Sequence, residues 1–220
     1  MCIKQTLTEE VIKLAPPDGL FDSTVVRNLF PSRTEGARKV LISRALEAEE
    51  ILTLKRGLYL LRPEYRKSDP HPYTVAAMLH APSHVSLESA LAYHGLIPEA
   101  VHQVSSVTSA RSRSFETPLG VFTFQRVPAR KPRAGVEAVK VSPNAWAFIG
   151  TAVRAIADTV YLRKDITWKR DGLSFLSESL RIEEEDLAQL DFSCSVEIEE
   201  SLHDRRTCEY LSGLKMELNR

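Results

Sequence analysis

Four side chains able to move protons stand close together in VSLESALAYHGLIPEAV, residues 85–101: Ser86, Glu88, Ser89 and His94. A hydroxyl, a carboxylate and an imidazole are the parts of a nucleophilic hydrolase, if their spacing lets them meet. On a helix Ser89 and His94 are five positions apart and point about 140° away from each other. No strand with the glycine pattern of a nucleophile elbow precedes Ser86. The stretch reads better as a helix. Ser86 caps it, Val85 and Ala90 staple its start, Leu87, Ala90, Leu91 and Tyr93 face the core, and Gly95 then Pro98 end it. No catalytic residue is expected. His80 and His84 have helical ligand spacing, but Pro82 lies between them and no cysteine pair or acid cluster stands near, so no metal site is expected. The acids from Glu183 to Asp186 can chelate a divalent ion, although acids drawn to a helix start by its dipole are the simpler account. No glycine-rich phosphate loop occurs, and no cofactor is expected.

The remaining chemistry is basic. The chain has 29 Lys and Arg against 29 Asp and Glu, a net charge of zero that hides strong segregation. Between Arg33 and Lys67 nine bases face five acids, and Arg111, Arg113, Arg126, Arg130, Lys131 and Arg133 make a second basic run. The tail reverses sign through Glu183, Glu184, Glu185, Asp186, Glu197, Glu199 and Glu200. Two basic surfaces and an acidic one fit polyanion binding.

The elements that must position these charges follow from local signals. Thr8 caps a short helix through Ala15, and Pro16, Pro17, Asp18 and Gly19 end it. Asp22 caps a second helix running to Pro31. Ser32, with Glu35 three residues on, caps a third whose apolar set is Ala37, Val40, Leu41, Ala45, Leu46 and Ala48. ILTLKRGLYLL then reads as a hairpin with Lys55 and Arg56 at its tip. Three helices and a two-stranded ribbon are the order of a winged helix-turn-helix, in which the third helix enters the major groove and the ribbon touches the backbone. This predicts a DNA-binding set of Arg33, Arg38, Lys39, Ser43, Arg44, Lys55 and Arg56, with Glu35 and Glu47 opposing phosphate.

The expected organisation is a winged helix over residues 1–62, a linker over 63–72, and a carboxy-terminal domain over 73–220. In that domain a helix over Tyr73–Leu79, the helix after Ser86 and strands in VHQVSSVTSA, VFTFQRV and VEAVKV precede packed helices from beyond Trp146. The fold class is thus α+β: a winged helix-turn-helix, then a small antiparallel sheet with packed helices. Cys2, Cys194 and Cys208 are too scattered for a disulfide framework and read as reduced thiols. No membrane-spanning run occurs, and a start with acids in place of an apolar stretch predicts a cytoplasmic protein.

Residues 85–101, with VAAMLHAPSH before them and VSSVTSARSRSFETPLGVFTFQRV after, resemble the AbiEi family of antitoxins. The shared features are Ser-Leu-Glu-Ser-Ala-Leu, His-Gly-Leu-Ile, a valine-rich strand, an arginine pair and a Thr-Pro-x-Gly turn. The front, closing on RGLYLL, is also similar, and the resemblance spans roughly residues 8 to 163. It implies a two-domain antitoxin that binds inverted repeats upstream of its own operon, represses transcription, and counters a nucleotidyltransferase toxin. No enzyme activity is expected, and the chain can be a monomer that pairs on DNA. One departure concerns the segment Ala152, Val153, Arg154, Ala155, Ile156, where family members often carry Pro-Glu-Lys-Ala-Leu; Asp158 is kept. The alternative is a protein-interaction module that neutralises its partner by direct binding without DNA. A nuclease using Asp158 and the 183–186 acids is a third reading.

Overall fold

Thr6 and Glu9 cap each other, and that starts the first helix. The computed structural model describes residues 6–16, 18–98, 103–143 and 145–218; Cys2 lies outside them. In α1 (Leu7–Leu14) the Thr6 hydroxyl accepts from Glu9 N at 3.2 Å and the Glu9 carboxylate accepts from Thr6 N at 3.1 Å. Thr8, the expected cap, is instead buried in the first turn and donates to Glu50. A short strand, β1 (Leu20–Asp22), follows, with no sequence signal of its own. Asp22 caps α2 (Ser23–Leu29) by accepting from Thr24 N at 2.8 Å and Val25 N at 2.9 Å. Helix α3 (Glu35–Glu47) starts two residues later than a Ser32 cap predicts, because Thr34 accepts from Ala37 N at 3.2 Å.

The hairpin forms where KRG punctuates two apolar runs, as β2 (Ile51–Lys55) and β3 (Leu58–Leu61). Strand β3 is central in an antiparallel sheet ordered β1-β3-β2. Both faces of this sheet are covered. Phe21, Ile51 and Leu61 meet Val11, Val26, Leu41 and Ala45 from the three helices. Leu54, Leu58 and Leu60, on the opposite face as the two-residue period requires, pack in a second cluster.

That second cluster welds the two halves together. It joins the small sheet to Val75, Ala76 and Leu79 of α4 (Pro72–Leu79) and to Phe122 and Phe124 of a second sheet. The 63–72 segment is correspondingly tied down: Arg66 donates to Leu61 O at 2.7 Å and pairs with Asp69. The expected spacer is therefore an anchored bend between parts that share a core.

The carboxy-terminal sheet is larger than the sequence indicates and is mixed. It contains β4 (Ser83–Val85), β5 (Gln103–Thr108), β6 (Arg113–Thr117), β7 (Gly120–Arg126), β8 (Val136–Ser142) and β9 (Ala145–Gly150), ordered β6-β7-β5-β4-β9-β8. The pairs β5–β7 and β4–β9 are parallel and the rest antiparallel. Helix α5 (Leu87–Tyr93) bridges β4 and β5, with Tyr93 exposed, contrary to expectation, and Gly95 at φ +74° just past its end. Strand β9 was not expected; the first of the helices expected beyond Trp146 follows it, capped by Thr151. Helix α6 (Ala152–Leu162) is buried along most of its length, under α5 and the tail helices. The tail continues through α7 (Trp168–Asp171), α8 (Glu184–Leu187), α9 (Ser195–Leu202) and α10 (Arg205–Leu218). The last two are separate because His203 sits at φ +50° and Asp204 accepts from Thr207 N at 3.0 Å. Gly213 of α10 lets the Trp168 indole pack against the helix where a β-carbon would collide with it. The architecture is α+β.

Candidate nucleic-acid interface

Helix α3 turns only Leu41 and Ala45 fully inward. Gly36, Lys39, Val40, Ser43, Arg44 and Glu47 are all exposed, and their three- and four-residue spacing makes one continuous stripe. Val40 is 48% exposed and Leu46 37%, so the predicted apolar set is narrower than it reads. Two of the stripe's polar groups are lightly engaged: Lys39 pairs with Glu35 at 2.6 Å and Ser43 donates to Glu47 at 3.0 Å. Arg38 faces the other way. Its Nη1 donates to Arg33 O at 2.6 Å and Phe30 O at 3.3 Å, pinning the turn between α2 and α3. Arg33 is exposed, with its guanidinium 5.7 Å from the Phe30 ring centre.

The hairpin tip is fixed to the same region. Gly57 at φ +84° gives the turn its left-handed residue, and its carbonyl accepts from Ser23 N at 3.0 Å. Arg56 at this tip is exposed. The Lys39 ammonium holds the Glu35 carboxyl below the usual carboxylate range, and Arg38 and Arg56 add to that field. Arg56 is thus within electrostatic reach of Glu35 at the start of α3. Lys55 behaves differently. Its Nζ donates to Met78 O at 2.9 Å and Leu79 O at 2.7 Å, closing the carboxy-terminal end of α4. Burial, with the Arg113 charge added, pushes its pKa below that of a free lysine. Lys55, expected at the wing tip among the DNA-binding residues, is a bolt between the two halves.

The second basic run divides in two. Arg113 opens β6 within electrostatic reach of Lys55, and Arg126 N donates to Ser112 Oγ at 3.0 Å, so Arg111, Arg113 and Arg126 gather at one end of the β6–β7 pair. Arg130, Lys131 and Arg133 lie on the segment toward α9, where Arg130 N donates to Ser201 O at 2.8 Å and Lys131 pairs with Glu200 at 3.0 Å. Arg133 stacks over Phe148 at 4.2 Å. No family model matches the chain, and no curated protein does.

A buried ionic cluster around α6 escaped the sequence reading. Asp158 is fully buried; its Oδ1 accepts from Arg154 Nε at 3.0 Å and its Oδ2 from Ser86 Oγ at 2.7 Å, with His84 Nε2 3.3 Å from the same oxygen. Burial pushes the carboxyl upward, but Arg154, His84 and Ser86 outweigh it and hold Asp158 below its ordinary value. Ser86 sits at the cap position of α5, yet its hydroxyl serves Asp158 and makes no cap bond. The readable signal was an Arg and an Asp four apart on the otherwise apolar helix AVRAIADTVYL. With its oxygens taken by three side chains, Asp158 is a structural ion and not a metal-holding carboxylate. Ser89 and His94 remain apart: Ser89 Oγ donates to Gln103 O and accepts from Ser105 N, while His94 Nε2 lies 2.8 Å from Gly150 O. His80 Nε2 is 3.1 Å from Arg111 O, away from the His84–Asp158 contact. Glu184, Glu185 and Asp186 form the first turn of α8. Among the described residues no three His, Cys, Asp or Glu side chains converge as metal ligands, and no helix is long and apolar enough to cross a membrane.

Proposed function

We propose that this chain is a DNA-binding regulator of the antitoxin type whose front third acts as a winged helix-turn-helix. Helix α3 lies in the major groove and the β2–β3 hairpin rests on the neighbouring phosphates. What supports this is the order α1, β1, α2, α3, β2, β3 with a β1-β3-β2 sheet. The observation that carries it is that Lys39, Ser43 and Arg44 lie exposed along one stripe of α3 and Arg56 lies exposed at the hairpin tip, within electrostatic reach of Glu35 at the start of that helix. Lys39, Ser43 and Arg44 are the groove-facing polar residues, Arg33 and Arg56 contact phosphate, and Arg38 and Lys55 position the helix and the wing. Repression of its own operon through inverted repeats, pairing of two monomers there and countering of a nucleotidyltransferase toxin come from the resemblance to AbiEi antitoxins. The test is a gel shift with DNA from upstream of the chain's own gene. Replacing Lys39, Arg44 and Arg56 together with Ala is expected to abolish the shift, and an unchanged shift rejects the assignment.

A second reading, direct capture of a basic partner without DNA, is favoured by one feature. A groove of about 590 Å³ beside α8 and α9 is lined by Glu137, Asp186, Asp191 and Glu197. Retention of a toxin by the full chain, lost when these four are changed to their amides while DNA binding is absent throughout, is the result that reading expects.

A further inference from the structure

Next to the buried ionic cluster lies a cavity of about 270 Å³, enclosed by the end of α4, strands β4 and β5, and the 127–136 segment. Its apolar lining includes Val107, Val136 and Phe148; its polar lining includes His84, Arg133 and Arg154. An engineered apolar cavity of roughly 150 Å³ accommodates benzene, so this volume suits one ring with a substituent.

The charges set the class of ligand. Arg154 is 1% exposed; its Nε donates to Asp158 at 3.0 Å and its Nη1 to Ala134 O at 2.7 Å. Its Nη2 has no protein acceptor among the described residues. A buried Arg–Asp pair is a weak reason for stability, since apolar residues of the same volume usually serve as well. Arg133 is exposed, stands over the Phe148 ring at 4.2 Å, and makes no ion pair among the described residues. Asp158 pairs with Arg154, and no carboxylate is among the residues lining the cavity, although Arg133 also borders the acidic groove beside α8 and α9; the wall thus offers two arginines beside an aromatic face.

We propose that this cavity is a binding site for a small monoanion with a flat apolar body, a carboxylate on a single ring. The ring lies against Phe148 and Val107, and the carboxylate accepts charge-assisted hydrogen bonds from Arg133 and Arg154 Nη2. This site stands whether or not the front third binds DNA.

Fluorine NMR and calorimetry on the full chain test it, with a ring-fluorinated benzoate as probe and the matching neutral benzamide as comparator. The benzoate is expected to saturate one site at about millimolar concentration or below. The benzamide should bind about tenfold more weakly, having lost the ionic contacts. Arg133→Gln should weaken the benzoate about tenfold and leave the benzamide unaffected. Ala129→Phe, which fills the mouth, should abolish both; Val136→Trp repeats that test if the first variant unfolds by circular dichroism. Equal affinity for the two probes, wild-type benzoate binding by Arg133→Gln, or no saturable binding up to about 10 mM would overturn the proposal.

Discussion

On the outer face of α3 and at the hairpin tip, Arg44 and Arg56 stand in solvent, and Lys39 has only an equally exposed Glu35 for company. Around α6, by contrast, Arg154 and Asp158 have lost nearly all their water and are held by atoms of β4, the cap of α5 and the 134 carbonyl. Exposed pairs contribute little to the fold, at most about 1 kcal/mol each, so evolution can arrange them for a ligand. Buried ions cannot be rearranged so freely, because an unpaired partner is expensive. Charge on the first surface is free for recognition; charge in the second region organises the interior. Lys55 falls between the two, a wing residue by sequence and an internal clamp by contact.

Removing Asp158 gives the largest test of this contrast. Asp158→Ala leaves Arg154 buried without its counter-charge and should destabilise the chain by about 3–5 kcal/mol in urea titration. A loss comparable to a surface substitution would break the comparison. The acid limb sharpens it. Because the folded carboxyl titrates below its unfolded value, its stabilisation is complete above about pH 4 and is lost as pH falls toward the lower folded value. Asp158→Asn should flatten that part of the stability–pH curve.

Lys55→Met comes next. It removes two charge-assisted hydrogen bonds to the end of α4 at a partly exposed site, so about 1–2 kcal/mol of stability should go. Gly57→Ala should cost about 1 kcal/mol, since φ is +84° and the new carbon would lie 3.1 Å from Ser23 Oγ. The smallest effect belongs to the surface: the combined Lys39, Arg44 and Arg56 substitutions should leave the unfolding free energy from urea titration within about 0.5 kcal/mol per site of wild type.

Much of the front third was legible because its signals are local. Asp22 caps α2 as read, KRG marks the hairpin, and Gly95 ends α5. Thr34, not Ser32, caps α3: two nearby hydroxyl residues carry the same local signal, and it is Thr34 that accepts from Ala37 N. Strands β1 and β4 have three residues each, too few for an alternating pattern, and β9 is held by pairing to β8 and β4 that no local window contains. The site was legible in part for the same reason. Exposure of Lys39, Ser43, Arg44 and Arg56 follows from helix and turn geometry. The capture of Lys55 by α4 depends on residues 23 and 24 positions away, and the Ser86–Asp158 bond spans 72. Neither has a signature in spacing, although Arg154 and Asp158 stand four apart on the buried face of α6.

The most direct measurement is the salt dependence of affinity for a duplex from upstream of the gene, by fluorescence anisotropy. A phosphate-contacting surface predicts a steep fall of log K with log salt, and Arg33→Ala and Arg56→Ala should each reduce the slope by about 0.9, with Lys55→Met leaving it unchanged. Slopes unaltered by the two arginine variants, or altered only by Lys55→Met, would contradict the assignment of this face to DNA.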